Sequence, residues 1–314
     1  MHYYFIDILR FIATLLITNS HYTPIWPISA MALGGSLGNT LFFGISGYCL
    51  SVKENSKFPQ WITNRIIRIY PATAIVTTIM FVFVYKEVSG VGEFIHYFIY
   101  PTEFWFVSAI MVFYLLYYII VKYFKKYIVH ILIAVSLLYF IIYVFALDTS
   151  VWAIETASKF KWIYYFIVMM LSYWIKENNI LEKIDKKTGK TIVISAVTMY
   201  VLLKIATGYI PMLNHVQFIF HVLSLIFMFG CMCWGFSVEK SIETFLTTSL
   251  GKICAYIGEC AFEIYLIQTF CIRHFSKYKF PLNFFIVTTL ILLSAILVHY
   301  LAGRISRKFK RKRG

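Results

Sequence analysis

The sequence predicts an all-α fold: one polytopic transmembrane bundle of about ten spans over residues 1–314, with both termini in the cytoplasm. Three observations carry this. The 314 residues are 60% hydrophobic and 14% charged, with a mean hydropathy of +0.75, whereas soluble domains are roughly 25% charged. Apolar stretches of about 20 residues, enough to cross a hydrocarbon core of about 30 Å, recur from end to end. The connectors between them are at most about fifteen residues long and hold no polar insert large enough to fold alone.

Apolar runs bounded by charge, proline or polar clusters place spans at 3–20, 32–52, 66–86, 104–122, 128–147, 162–176, 191–209, 215–236, 253–272 and 282–303. The segment 88–101 reads as a short interfacial piece. The first run has no basic region before it, is interrupted by Arg10 and is followed by no small-residue cleavage site, so it reads as a retained span. Basic residues set the orientation, because cytoplasmic connectors carry the excess of Lys and Arg. With the N-terminus inside, 21 of the 29 fall on the cytoplasmic side, including Arg65, Arg68 and seven from Arg304 to Arg313, and six fall outside.

The same bias accounts for the net charge of +15 and removes the reason to invoke nucleic acid. The tail 304–314 follows the last span directly and suits anionic lipid headgroups. Six cysteines lie in or beside apolar stretches, where they act as small hydrophobes. Cys231 and Cys233 are two apart on a helix, point away from each other and lack further ligands, so neither a metal site nor a disulfide framework is implied.

Ionisable groups inside a span cost at least about 2.5–3.5 kcal/mol at its centre, so each calls for a reason. The first span holds Asp7, Arg10 and His21. At 100° per residue Arg10 and His21 share one helix face, about 16 Å apart along the axis. Asp7, three residues before Arg10, can neutralise it. Two readings stand side by side: Arg10 pairs with Asp7 and snorkels while His21 is an interface residue, or the two line one track through the bundle. Gly34, Gly38, Gly44 and Gly47 suit close helix packing, and Lys204 can snorkel to a span end. Glu263, with Tyr265 and Gln268 one to two turns on, marks a polar patch.

The opening FIDILRFIATLLITNSH resembles that of the membrane acyltransferase 3 family, which carries an Arg, ten residues, then a His in its first helix; here these are Arg10 and His21. The stretch LFFGISGYCLS, with Ser46 and Gly47, resembles the family's second helix. RIIRIYP resembles its basic entry to the third, and EFWFVSAIMVFYLL the segment built on a Trp, here Trp105. A fainter likeness is GECAFEIYLIQ. Two departures stand out. The Glu that many members carry five residues after the Trp is replaced by Ile110, leaving Glu103 as the nearest acid, and the late motif ends in Gln268 rather than His. They point to a subgroup without that Glu, or to an altered or lost activity, and the first is the reading kept.

The resemblance implies an integral membrane O-acyltransferase of the cytoplasmic membrane. It would move a short acyl group, acetyl or succinyl, from acyl-CoA as co-substrate to a hydroxyl of an envelope polysaccharide or lipid-linked sugar, with no tightly bound cofactor. In that reading His21 is the general base and Arg10 its essential companion. Arg65 and Arg68, three apart at the mouth of the third span, hold the donor's phosphates. Asp7, Ser46, Glu103, Trp105, Glu263, Tyr265 and Gln268 support the site. The rivals are a transporter or flippase for a lipid-linked sugar, in which Arg10 and His21 bind without chemistry, and a non-catalytic scaffold. Inverted repeats with broken helices would favour transport, and the sequence shows no clear internal symmetry.

Overall fold

The computed structural model describes residues 2–83, 90–101, 103–156 and 158–311, and among them it is helical, with no strand. The helices are α1 (Tyr4–His21), α2 (Gly35–Cys49), α3 (Phe58–Phe83), α4 (Val91–Phe94), α5 (Trp105–Tyr123), α6 (Ile128–Phe145), α7 (Ser158–Glu177), α8 (Lys186–Tyr209), α9 (Phe218–Ser237), α10 (Glu239–Thr247), α11 (Ser249–Glu259), α12 (Ala261–Phe275) and α13 (Leu282–Arg311). Six of these regions are long and apolar enough to cross a membrane: α3, α5, α6 with its leading turn, α8, α9 and α13. The others are shorter, or more polar like α1 with its Asp7 and Arg10.

Three elements differ from the sequence expectation. α3 begins at Phe58 rather than 66, because Pro59 costs no hydrogen bond in a first turn and Trp61 packs its ring against Tyr117 and Tyr118 of α5. Its expected end at 84–86, including Lys86, lies outside the described residues, as do Lys312 and Arg313 of the tail. The ninth span, expected unbroken over 253–272, is two helices that meet at Cys260. The basic tail is helical through Arg311, continuing α13 without a break.

The chain forms two compact units. The first combines residues 1–17, 34–51 and 124–259. In it α2 packs on α7 and α9, and α8 packs along α9. Close approach depends on glycine: a Cβ at Gly47 would overlap the carbonyl of Met169 in α7. α2 starts after Gly34, whose φ of 104° is left-handed and open to glycine at little cost. The second unit combines 18–33, 52–123 and 260–314, with α12 on α13, both against α3, and α3 against α5. α1 is one helix that serves both units, its last turn belonging to the second.

Candidate active site

α1 positions Arg10 and His21. Its buried residues Ile6, Ala13, Thr14 and Ile17 fall within about 60° of Arg10 at 100° per residue, and His21 within about 20°. Leu15, 52% exposed, lies on the opposite side. Arg10 thus stands half-buried on a packed side of α1, and His21 shares its direction round the helix while its own side chain is exposed. Arg10 is half-buried and its Nη1 is 3.3 Å from Asp7 Oδ1, while Nη2 approaches Cys49 Sγ at 3.9 Å. Asp7 Oδ2 also pairs with His2 Nε2 at 2.8 Å. Ser46, one turn before Cys49 on α2, gives its hydroxyl to the Phe42 carbonyl at 2.9 Å, which leaves its oxygen as an acceptor.

His21 ends α1 with an exposed side chain, on backbone that is held from both directions. Two residues before it, Asn19 donates to the carbonyls of Met31 and Leu33, each at 2.9 Å, and accepts Trp26 Nε1 at 2.9 Å. Just after it, the Tyr22 hydroxyl meets Thr288 Oγ1 at 2.8 Å and Asn283 donates to the Ile25 carbonyl at 3.0 Å. Trp26 lies against Phe280 and Phe284. The backbone from which the His21 side chain leaves is therefore fixed by contacts on both sides.

The other expected residues fall at several places. Arg65 is half-buried and committed to its own helix, its guanidinium 4.1 Å above the Trp61 ring and bonded to the Trp61 carbonyl at 3.1 Å. Arg68, one turn on, is exposed. Both act electrostatically on the Tyr114 hydroxyl of α5. Glu103 is exposed, 3.6 Å from His96 Nε2, and Trp105 opens α5 half-buried. Ile110, at the position of the missing Glu, is 1% exposed. Tyr265 reaches α5, its hydroxyl accepting from the Phe106 amide at 3.3 Å with its ring beside Phe104 and Phe106.

The structure adds a partner to the Glu263 patch and reveals a second grouping around His221. In the second unit Glu263 Oε1 is 3.1 Å from His299 Nδ1 of α13, while its Oε2 and both side-chain polar atoms of Gln268 are buried without a hydrogen-bond partner. In the first unit His221 of α9, 2% exposed, links Tyr139 of α6 (Nδ1 to hydroxyl, 2.8 Å) to Glu155 (Nε2 to Oε1, 3.3 Å). Tyr165 donates to Glu155 at 2.9 Å, and Tyr164 stacks on the imidazole at 3.8 Å. Gln217, 0% exposed, fixes the loop before α7 through Ala153, Ile154, Thr149 and Val151. Burial pushes the Glu155 carboxyl up, but the His221 hydrogen bond and the charges of His221 and Lys161 outweigh it and hold it below the ordinary Glu range. The signal was present: His221 and His299 interrupt apolar runs, and an ionisable group there is a site hypothesis by default.

Comparison with known proteins matches residues 3–304 to the Acyl_transf_3 model, described as an acyltransferase domain. No curated protein matches the chain, and no solved structure matches it. Since the model spans nearly the whole length, from the turn before α1 into the last turns of α13, the chain is an acyltransferase and belongs to the acyltransferase 3 family.

Proposed function

We propose that this acyltransferase is an O-acyltransferase of the cytoplasmic membrane, with about ten spans and both termini inside. It takes a short acyl group, acetyl in the first instance, from acyl-CoA and places it on a hydroxyl of an envelope carbohydrate. The observation that carries the proposal is that Arg10, held by Asp7, and His21 leave one unbroken helix in nearly the same direction, eleven residues apart.

A sugar hydroxyl is too weak an acid to attack a thioester unaided. An imidazole with an ordinary pKa near 6.5 can take its proton as the oxygen bonds to the carbonyl carbon, an effect worth about 10²–10⁴ in rate. His21 fills that role, and Arg10 stabilises the negative charge of the donor along the way. As the tetrahedral intermediate collapses, the carbon–sulfur bond breaks, the thiolate leaves, and the proton held by the imidazole neutralises it through solvent. Arg68, exposed beside Tyr114, is the better placed of the two expected phosphate ligands, since Arg65 is occupied with Trp61.

The test is the ester content of envelope glycans in cells carrying the wild-type protein or His21→Ala. Loss of the esters at equal protein level supports the assignment, and unchanged ester content refutes it.

A further inference from the structure

The second unit holds a buried acceptor with nothing to accept. Glu263 is 7% exposed, and only one of its carboxylate oxygens is used, by His299 at 3.1 Å. Oε2 is buried and unpartnered, and Arg68 of α3 acts on the same carboxylate electrostatically. A buried acceptor left without a partner costs about 1–3 kcal/mol, so the position calls for a donor. We infer that Glu263, steadied by His299, is a docking point for the amide-bearing arm of the thioester donor, its free oxygen accepting a hydrogen bond from a secondary amide N–H. This rests on acyl-CoA as the donor.

Two features favour an amide over a cation or an alkyl chain. The nearby guanidinium of Arg68 repels a second positive charge, and an alkyl chain would leave Oε2 as poorly satisfied as before. Gln268 is a separate matter, since it leaves α12 about 140° round from Glu263.

The test uses the purified full-length protein in nanodiscs and two probes: coenzyme A, and 3′-phosphoadenosine 5′-diphosphate, which has the same nucleotide without the arm. Wild type is expected to bind coenzyme A at least about tenfold more tightly. Glu263→Gln keeps the shape but presents N–H where Oε2 was. It should leave the nucleotide's dissociation constant unchanged, which also shows that the variant is folded, and remove most of the tenfold advantage. An unchanged ratio in Glu263→Gln overturns the inference while leaving the donor assignment intact. If wild type binds neither probe, the donor assignment fails first and the inference with it, and the wild-type measurement alone shows which has happened.

Discussion

Asp7 and Arg10 are joined across one turn of α1, Oδ1 to Nη1 at 3.3 Å, and the other carboxylate oxygen takes His2 at 2.8 Å. A guanidinium and a carboxylate that neutralise each other in this way satisfy a purely structural role as well as a catalytic one, and substitution separates the two. Arg10→Met leaves Asp7 with His2 alone and should cost about 2 kcal/mol, less than the full loss of a buried pair because His2 remains. Adding Asp7→Asn removes the uncompensated charge and should restore most of the lost thermal stability. Acyl transfer should stay absent in the repaired double variant. Recovery of activity together with stability would mean that Arg10 is only a counter-ion.

The cluster around His221 makes a prediction about stability alone. His221→Leu strips partners from the Tyr139 hydroxyl and the Glu155 carboxylate together, at a cost of about 3 kcal/mol, read as a fall in melting temperature.

Because the folded-state pKa of Glu155 lies below its unfolded value, its contribution is fully present above the ordinary Glu range near 4.3 and is lost as pH falls through the folded value. The melting temperature of wild type should therefore drop more steeply on acidification below about pH 4.3 than that of Glu155→Gln. Parallel acid limbs would show that Glu155 is not held as an anion in the folded protein.

These groupings mark the boundary of what a sequence discloses. Apolar runs locate α5, α6 and α9 to within a few residues, because a span's length is set by the bilayer and its composition by exclusion of water. They miss the early start of α3 because residues 58–65 are amphipathic and acquire their helix from Trp61 stacking on α5. The join at Cys260 was hidden for a related reason. Gly258 lies tight on the backbone of Asp7 and Phe11, a contact that local hydropathy does not encode. For the site, Arg10, His21 and Glu263 stood out as charges in apolar surroundings. Their partners did not: His299 is 36 residues from Glu263, and Glu155 is 66 from His221. Pairings at that separation are set by which helices pack together.

Close packing of α2 is tested at one atom. Gly47→Ala places a methyl against the Met169 carbonyl, and the backbone on neither side can withdraw cheaply, so the variant should fail to accumulate as folded protein. Gly303→Ala provides the contrast. It lies within α13 with nothing within 4 Å of the added carbon, and should stabilise by about 0.5–1 kcal/mol through helix propensity. Equal behaviour of the two would mean that α2 and α7 are further apart than described.

Gln268 raises the question of why an expensive group is kept. Its side chain is 0% exposed, and neither its carbonyl nor its amide nitrogen has a hydrogen-bond partner. Leu has nearly the same volume without the polar atoms, so Gln268→Leu should stabilise the protein by about 1–3 kcal/mol, the desolvation cost of the orphaned amide. If the amide serves only packing, the melting temperature rises and acyl transfer is unaffected. If it meets a polar group of a substrate, the rise in melting temperature comes with a loss of kcat/KM, since stability and activity trade against each other where a site holds polar groups ready for a ligand. Gln268 lies on the same helix as Glu263 and Tyr265, which hold polar contacts in the same unit, so the second outcome is the one expected. A fall in melting temperature would contradict both, by showing that the amide is satisfied in the folded protein.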